Sequence, residues 1–404
     1  MSKDLWTVCS HVIPASHIRG FARGVRDEQI GYLRLAVKQY VPKNRIVTAD
    51  DITLIAAQGV GQSKELYEPF FDGLLEHAKL PIRAIWIMDN VHHAASYVLN
   101  ETIIGDEHHW LDSSRDLLQM INHFQEQMPP PIYGMGQSWG AATITMASIM
   151  HPRLFAGIVS VEAVMRTGDK LRTWLKEGEE KPSQHGALNV LKRREVWPTR
   201  EEARKLLGAN PFFKAFDPDV FNLSMEYDLR GCPTAEHPKA VTLTTPKALQ
   251  IATMMTPDPP LPGHPPGPEY VAGKNNTVVP GFYRGEVEQV QRSLPFVLPP
   301  VLYLWGRKSK IGMSDYATEQ VSKTGTGLGG GGGVVSGQVK SLYMEGVGHN
   351  VVLEKPREAA VIVGDWLKEQ HVAWRNETVA RVAHQAPFNP SVLNPMWYEK
   401  IAKF

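Results

Sequence analysis

The stretch "IYGMGQSWGAATITM", residues 132–146, decides the fold prediction. It opens with a β-favouring pair after three prolines and closes with a helix-favouring run, and Ser138 lies between them with Gly136 two residues before it and Gly140 two residues after it. In so tight a strand-to-helix turn, the apical residue is strained, and side chains at the two glycine positions would collide with the strand and the helix. The pattern predicts a nucleophilic serine beside a helix N-terminus, with a structural Gly-Ser-Gly turn as the alternative.

Strands and helices alternate on both sides of this turn. Because each predicted strand is a short and nearly continuous run of apolar residues, the pattern predicts a mostly parallel sheet covered by helices on both faces. The predicted strands are 5–14 and 31–42, which form an antiparallel pair, then 52–59, 83–89, the strand that starts at 132, 156–164, 299–306 and 339–346. The predicted helices are 64–77, 113–127, the one after Ser138, 199–208 and 356–370.

The alternation stops between residues 166 and 295. We therefore predict a core formed by 1–165 and 296–404, with 166–295 inserted as a cap (lid) over the C-terminal ends of the strands. The tail, 371–404, is expected to be irregular and to pack back on the body. The glycine-rich segment 325–337 formally matches G-x-G-x-x-G, but no helix-forming residues follow it, so a flexible surface loop is the favoured interpretation over a dinucleotide site.

A serine hydroxyl needs a base and an orienting acid to act as a nucleophile. His349 lies between the last predicted strand and the last predicted helix, where Gly346 and Gly348 let the loop approach the sheet edge. Ser309 stands where the acid of such sites usually lies, so two acids remain. Glu162 ends the strand after the nucleophile helix and is favoured, because a buried strand rarely carries an unpartnered carboxylate. Asp315, further along the loop of Ser309, is the alternative.

The negative charge that develops during acyl transfer requires hydrogen-bond donors. One predicted donor is the backbone N–H of Trp139, directly after the nucleophile. The second is the N–H of Val60, in the loop opened by Gln58-Gly59 after the strand 52–59. The histidine doublets His92-His93 and His108-His109 lack the helical spacing of metal ligands, so no metal is predicted.

These features together resemble the α/β-hydrolase superfamily, over about 30–164 and 299–370. A narrower resemblance links the chain to fungal α/β-hydrolases of secondary-metabolite and toxin biosynthesis, a group that includes the peroxisomal acyl-CoA hydrolase of mycophenolic acid biosynthesis. It is carried by these runs: "LAVKQYVPK", "GQSKELYEPFFDGLL", "ASYVLNE", "SRDLLQMINHF", "NPFFKAFDPDVFN" and "LTTPKALQ". The resemblance implies an α/β-hydrolase fold with an eight-stranded, mostly parallel sheet and a triad acid at the place of Glu162, although the named hydrolase has aspartate there.

The expected function is therefore a serine hydrolase that cleaves an acyl thioester (acyl-CoA) or ester of a bulky apolar metabolite. A lactone or carbon–carbon bond hydrolase with the same triad, and a non-hydrolytic cyclase or binding protein of the same fold, are the alternatives. A CoA ester would need basic side chains near the entrance of the site to bind its phosphates. Four residues of the predicted cap are available: Lys170, Arg172, Arg193 and Arg194. The alternative interpretation is that they form a solvated basic surface.

Bulk composition limits the other possibilities. The 404 residues carry a formal net charge of +1, which offers no electrostatic case for a nucleic-acid partner. Two cysteines do not make a disulfide framework, no apolar run is long enough to span a membrane, and no cofactor is predicted. The expected location is cytoplasmic, or peroxisomal if Ala402-Lys403-Phe404 acts as a weak targeting signal despite the final phenylalanine. A homodimer stays open beside a monomer.

Overall fold

A computed structural model describes residues 2–26, 31–165, 186–233, 235–257, 282–383, 389 and 391–403. Its centre is an eight-stranded sheet in the order β1-β2-β4-β3-β5-β6-β7-β8. The sheet strands are β1 Trp6–Pro14, β2 Arg34–Pro42, β3 Ile52–Ala57, β4 Ile82–Met88, β5 Ile132–Gln137, β6 Gly157–Val161, β7 Val301–Gly306 and β8 Val339–Met344. Strand β2 pairs antiparallel with β1 and with β4, and every other pairing is parallel. The predicted strands and their mostly parallel arrangement are confirmed.

Helices cover both faces of this sheet. The α-helices in the described residues are α1 Ser2–Leu5, α2 Glu68–Glu76, α3 Ala94–Asn100, α4 Trp110–His123, α5 Trp139–Met150, α6 Gly186–Lys192, α7 Arg200–Ala209, α8 Pro211–Lys214, α9 Pro218–Tyr227, α10 Lys247–Met254, α11 Gly285–Ser293, α12 Asp315–Lys323, α13 Val351–Glu354, α14 Pro356–Ala383 and α15 Pro395–Ile401. Helices α2 and α14 pack on one face, while α4 and α5 pack on the other.

The buried strands explain why the sheet requires both layers. All residues of β3, β5, β6 and β7 are buried, so each strand carries apolar side chains on both faces. Burying one large aliphatic side chain contributes about 1.5–3 kcal/mol relative to leaving it exposed. The sheet is therefore stable only between two helical layers, and the C-terminal ends of its central strands lie together at one edge.

Between β6 and β7 the described residues add no strand to the large sheet. They form helices α6 to α11 and a small sheet of Val196–Trp197, Leu229–Gly231 and Val241–Leu243. Apolar side chains of this region, such as Trp197, Phe213 and Val220, belong to the same buried cluster as Leu66 and Phe70 of the core.

Two expectations for the C-terminal half need correction. The last predicted helix does not stop near residue 370 but continues to Ala383, because no glycine or proline interrupts the segment that follows. Most of the described tail is exposed, with Val379 at 70% and Trp397 at 59% of their full exposure, so only its start, with the buried His371 and with Arg375 3.3 Å from Asp50, packs on the body.

The glycine-rich segment lies between α12 and β8, the reverse of the strand-then-helix order that a dinucleotide fingerprint requires. It is held against residues 294–298, because Gly327 N–H donates to the Pro295 carbonyl at 2.8 Å and Gly331 N–H to that of Val297 at 2.9 Å.

Candidate active site

Ser138 lies on the turn between β5 and α5, as the glycine pattern predicts. Its backbone has φ 56° and ψ −116°, a conformation that a residue with a side chain rarely adopts. The strained turn is held by the neighbouring strand, because Ser138 N–H donates to the Val161 carbonyl at 2.8 Å. The side chain is therefore presented at the C-terminal edge of the sheet, beside the first turn of α5.

The two flanking glycines are required by space. A Cβ atom on Gly136 would lie 2.2 Å from the carbonyl oxygen of Gly140, and a Cβ atom on Gly140 would lie 2.1 Å from that of Ala57. Both contacts are with backbone, which cannot move aside as a flexible side chain can. Strand β3, strand β5 and helix α5 thus meet at this turn without room for a side chain at either position.

His349 reaches Ser138 from the loop between β8 and α13. Its Nε2 atom is 3.0 Å from the Ser138 Oγ atom. The loop is fixed to the sheet edge because Gln137 Nε2 donates to the His349 carbonyl at 2.9 Å. The loop turns at Gly346, whose φ is 79°, and Gly348 N–H donates to Glu354 Oε2 at 2.7 Å.

Glu162 contacts the other ring nitrogen of His349. Its Oε2 atom is 3.0 Å from His349 Nδ1, and its backbone, directly after β6, has φ 47°. The carboxylate is fully buried and is further held by Gly306 N–H, 2.7 Å from Oε1, and by the Ser309 hydroxyl, 2.5 Å from Oε2. Ser309, at the place where an acid usually lies, thus donates a hydrogen bond to the acid that comes from the neighbouring strand.

Asp315, the alternative acid, lies elsewhere. It is an exposed residue at the start of α12, and no hydrogen bond joins it to His349. The structure therefore brings Ser138, His349 and Glu162 together and leaves Asp315 outside this group.

The two predicted oxyanion donors belong to segments that meet at the turn. Trp139 is the first residue of α5, and Val60 lies in the loop after β3, whose Ala57 and Gln58 carbonyls face Gly140. In the described part of the chain, neither the Val60 nor the Trp139 N–H donates to a protein acceptor. The N–H of Gly59 is already used, by Gln62 Oε1 and the Tyr67 hydroxyl, each at 3.1 Å.

A buried ion pair that sequence reasoning missed supports this loop. Lys64 Nζ lies 2.6 Å from Asp89 Oδ2, and Asp89 Oδ1 accepts the Lys64 N–H at 2.9 Å. Burial raises the pKa of Asp89 to about 6, although the nearby lysine charge opposes the increase. Burial alone would lower the pKa of Lys64, but the Asp89 charge raises it above its usual value. In the sequence, the only sign of this ion pair is an aspartate directly after β4, and that position does not indicate which lysine the aspartate contacts.

Two histidines of the doublets, His93 and His108, contact the Trp139 ring. His92 and His108 are buried with their Nδ1 atoms 2.6 Å apart, so one ring donates to the other, and burial lowers the pKa of both well below the usual value. The His93 ring is tilted by 41° to the Trp139 ring, with the ring centroids 5.3 Å apart, and burial lowers the pKa of His93 to about 3. Among the described residues, no group of three or more His, Cys, Asp or Glu side chains is placed to hold a metal ion.

Comparison with known proteins gives relatives for both the sequence and the fold. No family model matches the chain. The type I acyl-CoA thioesterase mpaH of Penicillium brevicompactum is 33% identical over 396 residues, covering 92% of this chain and 89% of that protein. The abhydrolase domain-containing protein AFT2-1 of Alternaria alternata is 26% identical over 253 residues, covering 61% of this chain and 87% of that protein. Among solved structures, the peroxisomal α/β-hydrolase Lpx1 of Saccharomyces cerevisiae matches with a TM-score of 0.67 and 15% identity, over 99% of this chain and 96% of that one.

The sheet order and the turn at Ser138 are those of hydrolases built on a parallel sheet with a strand-to-helix nucleophile turn. Together with these relatives, they show that the chain belongs to the α/β-hydrolase family and is related to the fungal mpaH proteins. It is an enzyme of the hydrolase class, as its named relatives are. The resemblance and the fold class predicted from the sequence are confirmed. In the described residues, no helix is both long and apolar enough to cross a membrane.

Proposed function

We propose that the protein hydrolyses an acyl thioester of a bulky apolar acid through Ser138, His349 and Glu162. The observation that carries the proposal is His349, whose two ring nitrogens lie 3.0 Å from the Ser138 hydroxyl and 3.0 Å from the Glu162 carboxylate. Similarity to a named acyl-CoA thioesterase, over most of both chains, supports the thioester as the bond that is cleaved.

The distances to His349 support a route for each proton in this reaction. His349 Nε2 accepts the hydroxyl proton of Ser138 as Oγ attacks the thioester carbonyl, and Glu162 holds the ring with Nδ1 protonated and stabilises the imidazolium. The N–H groups of Trp139 and Val60 donate to the oxyanion. The tetrahedral intermediate then expels the thiol, which takes the proton from His349. Water, deprotonated by His349, attacks the acyl-serine, and the acid leaves as Ser138 regains its proton.

We further propose that residues 166–295 form the cap that encloses the acyl group. Three contacts with the loops after β3 and β4 support this place for it. Ser63 N–H donates to Asp228 Oδ1 at 3.2 Å, Ala94 N–H donates to Thr245 Oγ1 at 2.8 Å, and Gln250 packs on Gly61. Helix α11 joins this region to the core, because Glu286 Oε1 accepts the Trp110 N–H at 3.0 Å. A homodimer and a cytoplasmic or peroxisomal location stay predictions.

The test is Ser138→Ala against wild type. We expect release of free thiol from acyl-CoA substrates to fall by roughly 10⁴-fold or more, because the remaining groups cannot form the acyl-enzyme. Ser322→Ala, an exposed serine of α12, is the control and should keep full activity. A fluorophosphonate should label wild type at Ser138 and leave Ser138→Ala unlabelled. Undiminished thiol release by Ser138→Ala would contradict the mechanism. If the wild-type protein cleaves lactones but no thioester, the proposed substrate class is wrong and lactones take its place.

A further inference from the structure

Arg193 is a cationic side chain of the proposed cap that is joined through Gln250 to the loop after β3. It directly follows helix α6 and is partly buried. One guanidinium nitrogen donates to Gln250 Oε1 at 2.8 Å, while the buried Nε atom meets no acceptor in the described part of the chain. The fork of donors is therefore only partly used.

Gln250 connects this arginine to the loop that carries Val60. Gln250 is buried, and its Nε2 atom donates to the Thr245 carbonyl at 2.8 Å. Its Oε1 atom would lie 2.7 Å from a Cβ atom on Gly61, which has φ 77°, so the loop backbone packs directly on this amide. A group bound at Arg193 would thus lie one side chain away from the proposed oxyanion donor.

Within the described residues, Arg193 has no ion pair, and the two acids whose charges act on it have other partners. Glu195 Oε1 accepts the Lys247 N–H at 2.9 Å. Asp228 accepts from Ser63 N–H at 3.2 Å and from the Ser224 hydroxyl at 2.7 Å. Burial lowers the pKa of Arg193, and the more distant charges of Asp228 and Glu195 only partly oppose this.

Three other arginines, unlike Arg193, each form an ion pair with a carboxylate of the fold, as expected of a structural role. Arg19 is buried but lies 3.2 Å from Asp112 and 2.8 Å from Asp116. Arg284 lies 3.1 Å from Glu286. Arg194, the neighbour of Arg193, lies at the surface 2.9 Å from Glu202. A shielded guanidinium without a carboxylate is costly unless an anion joins it during function.

We infer that Arg193 is a specificity-determining residue that binds an anionic oxygen group of the substrate. The inference rests on the proposed function, since the anion belongs to the thioester that Ser138 cleaves. A guanidinium donates a fork of hydrogen bonds that matches carboxylates and phosphates. Every acyl-CoA carries such groups in the phosphates of its leaving thiol, and an acyl chain with a second acid group also carries a carboxylate.

The experiment uses four thioesters of one chain length. The acyl group either ends in a methyl group or carries a terminal carboxylate, and the thiol is either CoA or the neutral N-acetylcysteamine. We expect Arg193→Gln to lower kcat/KM about 10- to 100-fold, mainly through KM, for the substrates with the recognised anion. The thioester with neither anion should be cleaved as by wild type. Arg193→Lys should recover part of the loss, and Arg194→Gln is the matched control.

The pattern of losses identifies the anion. A loss confined to the two CoA esters assigns Arg193 to phosphate, and a loss confined to the two carboxylate-bearing esters assigns it to the acyl chain. An equal loss on all four thioesters would mean that Arg193 only supports Gln250, and no loss on any would mean that it binds nothing; either result overturns the inference alone. A wild type that cleaves none of the four overturns the proposed function and this inference with it.

Discussion

The sheet edge and the proposed cap both hold polar groups that the proposals above depend on, but they hold them by different means. At the sheet edge, Ser138 and Glu162 follow adjacent parallel strands, and both adopt positive φ because backbone hydrogen bonds to Val161 and Leu304 hold them there. In the cap, Arg193 and Asp228 are positioned by contacts of their side chains with distant loops. The positions at the sheet edge are set by adjacent strands and can be recognised from a sequence pattern. The positions of Arg193 and Asp228 depend on how two regions of the chain pack together.

Replacing the buried acid tests the sheet edge most strongly. In Glu162→Gln the amide keeps the shape but can donate to His349 Nδ1, which favours the tautomer that carries the proton on Nε2. We expect kcat for thioester hydrolysis to fall roughly 10³- to 10⁴-fold, measured by thiol release. Asp315→Asn, which removes the exposed alternative acid, should stay within about twofold of wild type. A larger loss in Asp315→Asn than in Glu162→Gln would reverse the assignment of the acid.

Replacing a glycine of the turn tests the backbone without touching a reacting group. In Gly140→Ala the new Cβ atom would lie 2.1 Å from the Ala57 carbonyl oxygen, so β3 and α5 must separate. We expect about a 100-fold loss of kcat from the displaced Ser138, and destabilisation of roughly 3 kcal/mol from overpacking. Gly231→Ala is the control, because a Cβ atom there meets nothing within 4 Å. Full activity and an unchanged free energy of unfolding in Gly140→Ala would show that the turn is not constrained by its packing.

A change in the cap should alter pH dependence more than activity. Burial raises the pKa of Asp228 to about 7. The folded carboxyl therefore keeps its proton where the unfolded one, with a pKa of about 4, has lost it. Its contribution to stability is complete below about pH 4 and is lost as the pH rises through about 7.

In Asp228→Asn the side chain is neutral at every pH, so this variant should not show the loss of stability that the carboxyl causes as the pH rises. We expect the fall in thermal midpoint between pH 5 and pH 8 to be smaller by roughly 2–4 °C, as for a change of about 2–3 kcal/mol in a chain of this length. Calorimetry at four pH values measures it, with Asp315→Asn as the exposed control. Parallel curves for wild type and Asp228→Asn would contradict a shielded carboxyl in the cap.

Some features of this protein followed from the sequence by itself. The alternation of short apolar strands with amphipathic helices predicted the sheet, and the spacing of Gly136, Ser138 and Gly140 predicted the turn. His349 was predicted from its place between the last strand and the last helix. The predicted positions agree with the structure because residues that follow neighbouring strands of a parallel sheet lie at one edge, and the catalytic roles of Ser138 and His349 stay predictions.

Only the tertiary structure decided what meets these residues. The Ser309 hydroxyl is joined to Glu162 across adjacent strands, and the Lys64–Asp89 pair supports the loop of Val60. Among the residues that the structure describes, Arg193 lies against Gln250 and forms no ion pair. No spacing encodes these contacts, because each joins segments that are far apart in the chain and close only after the layers pack. The cost of burying a charge explains why the Lys64 and Asp89 charges lie together, and the proposed substrate anion would play the same part for Arg193.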